Sequence, residues 1–277
     1  MSLTSFLKCS PDVRERFKAD FLMPPLPVKK ALLAQPLSEN SSLVGTAFDY
    51  LLRFYLQRLN PNATARKWVA AQAVFHDAYP ELDRFVPPIR REILEEAISG
   101  HKRYLQNGKI DDRLLQSVLC LAKLDVLCRR EVEDSFHDAL GKTDAKDVQD
   151  LRRLISLVQP EMFKAKKVCA LNPVFGRASE LVGGADCDLV IDDALIEIKT
   201  TKHFRVERSY FNQLVGYYVL SKIGGIEGAP KGHRINRLGV YFSRHRHLWL
   251  FDVRTVVKER ELSGFIRWFK KRARQSL

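Results

Sequence analysis

The spacing of apolar residues divides the chain into two regimes. Over 43–59, LVGTAFDYLLRFYLQRL, apolar positions recur at helical spacing and stop before an NPN turn. Helical spacing continues over about 63–79, 89–106, 111–134 and 144–158, with short polar or Pro-containing links, so 60–160 reads as a block of helices. Ahead of 43, residues 1–42 carry Pro punctuation and a polar end, which predicts an irregular, packed leader. The period then shortens. KKVCALNPV at 166–174, ADCDLVI at 185–191 and ALIEIKT at 194–200 are short, rich in Val, Ile and Leu, and bounded by turn residues, as strands are. Helical spacing returns over 206–225 and ends in Gly224–Gly225, and RLGVYFS and HLWLFDV read as two more strands around a tight RHR turn. A basic helix over 253–274 closes the pattern. The expected class is α/β: a central mixed sheet of about five strands, flanked by helices, with the helical block inserted before it as a clamp or channel wall. We expect one domain over 43–277, its core at 165–251.

Composition narrows this picture. With 277 residues, 45% of them apolar, the chain is long enough for a substantial core. The N-terminal stretch has no apolar run of secretory type, and no run of about 18 apolar residues suggests a membrane span. The five cysteines are scattered and never spaced as CxxC, against a disulfide framework or zinc ribbon and in keeping with a reducing, cytoplasmic setting. Lys and Arg outnumber Asp and Glu by 46 to 33, and from Gly228 onward the ratio is 13 to three. Such a basic tail suits a polyanionic partner, because each cation placed near a phosphate releases counterions. Charge alone leaves a solvated face or an anionic lipid surface as alternatives.

Chemistry concentrates in GGADCDLVIDDALIEIKTTK, residues 183–202, where acidic residues enter two apolar strands. Buried carboxylates need a partner or a metal. Alternate side chains of a strand share a face, so Glu197 and Lys199 point together, and Asp186 and Asp188 share a face opposite Cys187, Leu189 and Ile191. A hairpin at 192–194 would bring the two acidic faces together. Paired carboxylates are the hard oxygen ligands that Mg2+ or Mn2+ prefers, and a neighbouring lysine can hold water or offset charge on a phosphoryl group. On the next helix Gln213 and Tyr217, four apart, share one face. His245 and His247 read as part of a turn flanked by Arg244 and Arg246 rather than as ligands.

The order Asp188, Glu197-Ile-Lys199, Gln213-xxx-Tyr217 resembles motifs II to IV of the PD-(D/E)XK nuclease superfamily, in its RecB-like branch with the QxxxY helix. GTAFD, Gly45 to Asp49, resembles the branch's first motif, with Asp49 where that motif has a metal-binding His. The resemblance spans about 43–251. It implies a restriction-endonuclease-like core, with Asp188, Glu197 and the Ile198 carbonyl as metal ligands and Asp49 and Asp186 as further candidates. Lys199 would act on water or charge, and Gln213 and Tyr217 would orient Lys199 or contact the strand being cut. The implied activity is Mg2+- or Mn2+-dependent hydrolysis of nucleic acid, DNA first, by an endonuclease or exonuclease. The alternative is a nucleic-acid-binding module that keeps the fold without cutting.

Overall fold

A computed structural model describes residues 2–26, 28–75, 80–129 and 132–276. Seven helices precede most of the sheet among these residues: α1 Leu3–Cys9, α2 Pro11–Asp20, α3 Ser41–Leu59, α4 Pro88–Asn107, α5 Asp112–Arg129, α6 Asp134–Asp138 and α7 Ala145–Ser156. The sheet comprises β1 Thr64–Ala65, β2 Cys169–Leu171, β3 Leu189–Ile191, β4 Ala194–Lys199, β5 Arg237–Phe242 and β6 His247–Asp252. A short helix α8, Arg177–Glu180, lies between β2 and β3, α9 Arg208–Gly224 crosses from β4 to β5, and α10 Glu259–Arg274 follows β6.

The six strands lie in sequence order, β1-β2-β3-β4-β5-β6, one more than expected. Pairing is parallel for β1–β2 and β4–β5 and antiparallel elsewhere, so the sheet is mixed. Strand alternation sends Leu189, Ile191, Ala194, Ile196 and Ile198 to the core shared with α3, α5 and α7. It sends Val190, Leu195, Leu238 and Val240 to a second core with α1, α2, α9 and α10. Both faces are covered, which is why these strands read as near-continuous apolar runs.

Several expectations change. The leader expected to be irregular opens with two helices. Leu3, Phe6 and Leu7, then Val13 and Phe17, form apolar stripes at i, i+3 and i+4, and Pro11 sits at the first turn of α2, where its missing N–H costs nothing. The helix expected over 63–79 is absent from its described part: Thr64 and Ala65 pair with β2, and Val69–Ala73 forms a 3-10 turn. Ala70, Ala71, Ala73 and Val74 are all buried and Gln72 between them is exposed, a spacing that a 3-10 turn meets as readily as an α-helix. Residues 76–79 lie outside the described residues. The helix expected over 111–134 ends at Arg129 and a separate α6 begins at Asp134, with 130–131 outside the described residues. The last helix starts at Glu259, after a 3-10 turn at Val253–Thr255. Finally, the strand expected over 185–191 starts only at Leu189. Cys187 joins the core of Val190 instead of that of Leu189, so alternation does not extend back through 186–188.

The turn between β5 and β6 is a 3-10 turn at Ser243–His245 followed by Arg246 at φ 48°. Arg244 does not flank it in solvent. It is fully buried in a two-pronged ion pair with Asp150 of α7, at 2.8 Å for both contacts, and also donates to the Ala34 carbonyl at 3.1 Å. This pair ties the sheet to the helical block. Among the described residues no helix is long and apolar enough to cross a membrane.

Candidate active site

Where β3 ends and β4 continues, the sheet opens into a cleft of about 490 Å3. The first turns of α3 contribute Ser41, Ser42, Gly45, Thr46 and Asp49, while β4 and the residues after it contribute Glu197, Ile198, Lys199, Thr200 and Thr201. Asp188, Tyr210 of α9, and Asp125 and Arg129 of α5 complete the wall. Four carboxylates, Asp49, Asp125, Asp188 and Glu197, therefore reach one cleft; Asp125 is held through both oxygens, and each of the other three is anchored by one. Asp188 Oδ2 accepts the Ile198 N–H at 2.6 Å. Glu197 Oε1 takes Lys199 Nζ at 2.8 Å, and Asp49 Oδ2 takes Arg53 Nη2 at 2.5 Å. Among the described residues the second oxygens of two of these three, Asp49 Oδ1 and Glu197 Oε2, are buried with no hydrogen-bond partner.

In a strand the N–H and C=O of one residue point to the same edge. The Ile198 N–H meets the Asp188 side chain, and register pairing of β3 with β4 runs only from Ala194 to Ile196. The Ile198 carbonyl thus points into the same gap beyond the end of β3.

Burial, with the charges of Glu197 and Asp49, pushes the Asp188 carboxyl well above its usual range. Burial also raises Glu197, with Lys199 opposing and Asp186 and Asp49 adding to the rise. Asp49 is raised by burial against the pull of Arg53. Burial disfavours a charged Lys199, but Glu197 and Asp188 outweigh it and hold the ammonium charged. Ionising these buried carboxyls is costly with the cations the protein itself supplies, which is the electrostatic condition a bound cation relieves.

Lys199 is braced from α9. Its Nζ lies 3.3 Å from Gln213 Oε1 and 4.7 Å from the centre of the Tyr210 ring. Gln213 Nε2 in turn donates to the Tyr217 hydroxyl at 2.9 Å. Tyr217 is buried and stacks on Phe175, so Gln213 and Tyr217 stand behind Lys199 rather than on the cleft wall.

The residues singled out in the sequence thus separate into groups. Asp49, Asp188, Glu197, Ile198 and Lys199 line one cleft. Asp186 lines a neighbouring cavity instead and accepts from Asn172 Nδ2 at 3.0 Å. Among the described residues no set of three or more His, Cys, Asp or Glu side chains stands ready-formed around a metal position. In the structure Asp49 and Glu197 instead turn one oxygen each to Arg53 and Lys199. Of the basic residues after β4, Arg208 donates to the Phe17 and Phe21 carbonyls and so fastens α2, and Arg205 pairs with Glu207. His245 is buried against Phe204 and Phe242.

Sequence reasoning missed Asp125, Arg129 and Tyr210. The signal for Asp125 was present: an acidic residue within the apolar LCLAKLDVLC of α5, four residues before Arg129. Comparison of the chain with protein-family models, with curated proteins and with solved structures finds no match. What the site can do is therefore derived from its own residues: buried carboxylates around a cleft, two of their oxygens without donors, beside a braced and charged lysine.

Proposed function

We propose that this chain is a divalent-cation-dependent nuclease that hydrolyses DNA phosphodiester bonds on a restriction-endonuclease-like core of the RecB-like PD-(D/E)XK branch. The observation that carries the proposal is the pair of buried, partnerless oxygens, Asp49 Oδ1 and Glu197 Oε2, in the cleft that Asp188 also lines. Buried polar atoms are nearly always satisfied, and a buried carboxylate without a donor is costly. The donor set fits Mg2+ or Mn2+: oxygen atoms only, from Asp49, Asp188, Glu197 and the Ile198 carbonyl. A cation held there supplies Lewis-acid polarisation of the phosphoryl oxygens.

The protein's own groups supply the rest. Lys199, charged and fixed between Glu197 and Gln213, positions a water against the phosphorus and offsets the negative charge that grows there as the P–O3′ bond breaks. The products are a 3′-hydroxyl and a 5′-phosphate. Gln213, set by Tyr217, keeps the lysine from swinging away, so its charge is already oriented when the reaction begins. Asp49 in place of histidine would offer the cation a carboxylate oxygen where the first motif offers a ring nitrogen.

A second reading, a binding module that does not cut, is favoured by one observation: Asp49 is engaged by Arg53, which competes with any cation for that carboxylate. The deciding experiment incubates the protein with circular and linear, single- and double-stranded DNA in Mg2+ or Mn2+, beside Glu197→Gln and Lys199→Ala. Cleavage by the wild type alone is expected. No cleavage of any substrate with either metal overturns the nuclease proposal in favour of the binding module.

A further inference from the structure

Part of the cleft wall is built by the end of α5, where Asp125 is almost completely buried and Arg129 is not: their side chains are 3% and 55% exposed. Asp125 accepts from two sides. Its Oδ2 takes the Tyr50 hydroxyl at 2.7 Å, and its Oδ1 takes Arg129 Nε. Tyr50 is itself held, accepting the Ala70 N–H at 3.2 Å, with the Arg53 guanidinium 4.3 Å from the centre of its ring. The anchor of Arg129 is thus a fixed, interior carboxylate and not another mobile surface chain. Only Nε is used. Among the described residues neither Nη makes a hydrogen bond, and the residue lines the cleft that holds Asp188, Glu197 and Lys199. Burial works against the charge on Arg129, and Asp125, Asp186 and Tyr50 outweigh it.

We propose that Arg129 is a phosphate-binding residue of this cleft, its open Nη pair gripping non-bridging oxygens of a polynucleotide strand while Asp125 holds its Nε. Guanidinium presents its donors in a planar fork that matches two phosphate oxygens. Anchoring at Nε removes most of the freedom such a side chain otherwise loses on binding. Lys199 and Arg129 then meet the strand from different elements, one from the sheet and one from the helical block. The inference rests on the nuclease reading only in placing a nucleic-acid strand in this cleft.

The test uses a labelled single-stranded oligonucleotide, a Lys199→Ala background that leaves it uncut, magnesium buffer, and fluorescence anisotropy across a range of salt. Arg129→Ala is expected to weaken binding about tenfold or more and to lower the log affinity against log salt slope by about 0.7, the value for one phosphate contact on a single strand. Arg129→Lys is expected to restore the slope but only part of the affinity, because it returns the charge without the fork. A purely structural ion pair with Asp125 would move the unfolding temperature and leave the salt slope alone. Should the alanine variant unfold, Arg129→Gln, which keeps a donor for Asp125, carries the same expectations. Unchanged affinity and slope in the variant overturn the proposal, even where the wild type cleaves DNA. A wild type that binds with an Arg129-dependent slope yet never cuts sinks the nuclease reading and leaves this one standing, and failure to bind any oligonucleotide removes both.

Discussion

Asp188 replaces a strand for Ile198. Its Oδ2 lies 2.6 Å from the Ile198 nitrogen, just ahead of the first residue of β3, where the edge of β4 would otherwise lack an acceptor. One carboxylate therefore completes the sheet and faces the cleft.

The two roles separate by substitution. Asp188→Ala leaves a buried N–H unpaired and should cost about 1–3 kcal/mol of stability. Asp188→Asn keeps an acceptor but removes a charge that burial, Glu197 and Asp49 all disfavour, so in chelator at neutral pH it should be at least as stable as the wild type. Denaturant melts give the stabilities, and calorimetric titration with Mg2+ or Mn2+ should show cation binding lost in both variants. Retained binding in Asp188→Asn would remove Asp188 from the ligand set.

Lys199, Gln213 and Tyr217 form a chain, and its members should matter in that order. Lys199→Ala should lower turnover on the order of a hundredfold to a thousandfold with little change in DNA affinity, because an electrostatic donor of this kind acts mainly in the transition state. Gln213→Leu should cost less, and Tyr217→Phe least, since each is one bond further from the reacting atoms. Single-turnover kinetics at saturating DNA read the series. A Tyr217→Phe defect equal to that of Lys199→Ala would show that the chain does not act through the lysine.

His101 of α4 supplies a pH dependence of stability away from the cleft. Its ring stacks on Phe54 with 4.1 Å between ring centres, its Nε2 is buried without a partner among the described residues, and burial lowers its pKa from 6.5 to about 4. The native state thus holds the neutral ring while the unfolded chain protonates first. The contribution is fully present above about pH 6.5 and is lost as pH falls from there toward 4. Urea midpoints measured across this window should fall less steeply in His101→Phe than in the wild type, and identical slopes would reject the assignment.

The C-terminal helix carries both charge and core. Phe265 and Phe269 are buried against Phe6, Phe17 and Phe21, with Phe21 and Phe265 4.7 Å apart, while Arg267, Lys271 and Arg274 face solvent. Phe269→Ala should cost about 3–5 kcal/mol, so deleting the helix cannot isolate its charge. Replacing Arg267, Lys271 and Arg274 together by Gln should leave stability nearly unchanged and flatten the salt dependence of DNA affinity. An unchanged salt slope would assign the basic face to another duty.

The period-two pattern was enough to pair Glu197 with Lys199 and to place Ile198 on the other face, because β4 is a regular strand throughout. The same rule failed for Asp186 and Asp188, since it holds only inside a strand and β3 begins after them. Likewise the stripes of α1 and α2 were legible in principle, but the prolines that follow them dominated the reading of the first 42 residues. A short alanine-rich turn at Val69–Ala73 has too few residues for helical and 3-10 spacing to be told apart.

What the chain alone determined was local: a helical block before an α/β core, short near-continuous apolar strands, and the acidic and basic residues carried on one face of β4. Only the tertiary structure decided which distant residues join them. Asp49 comes to the cleft because Val44, Ala47, Phe48 and Leu51 press α3 into the core that Ile196 and Ile198 share. Asp125 and Arg129 come with α5, while Asp186 is turned into the next cavity. Periodicity reports which side of an element is buried. Where two elements cross is set by how their buried faces fit together, and no single stretch of sequence contains that.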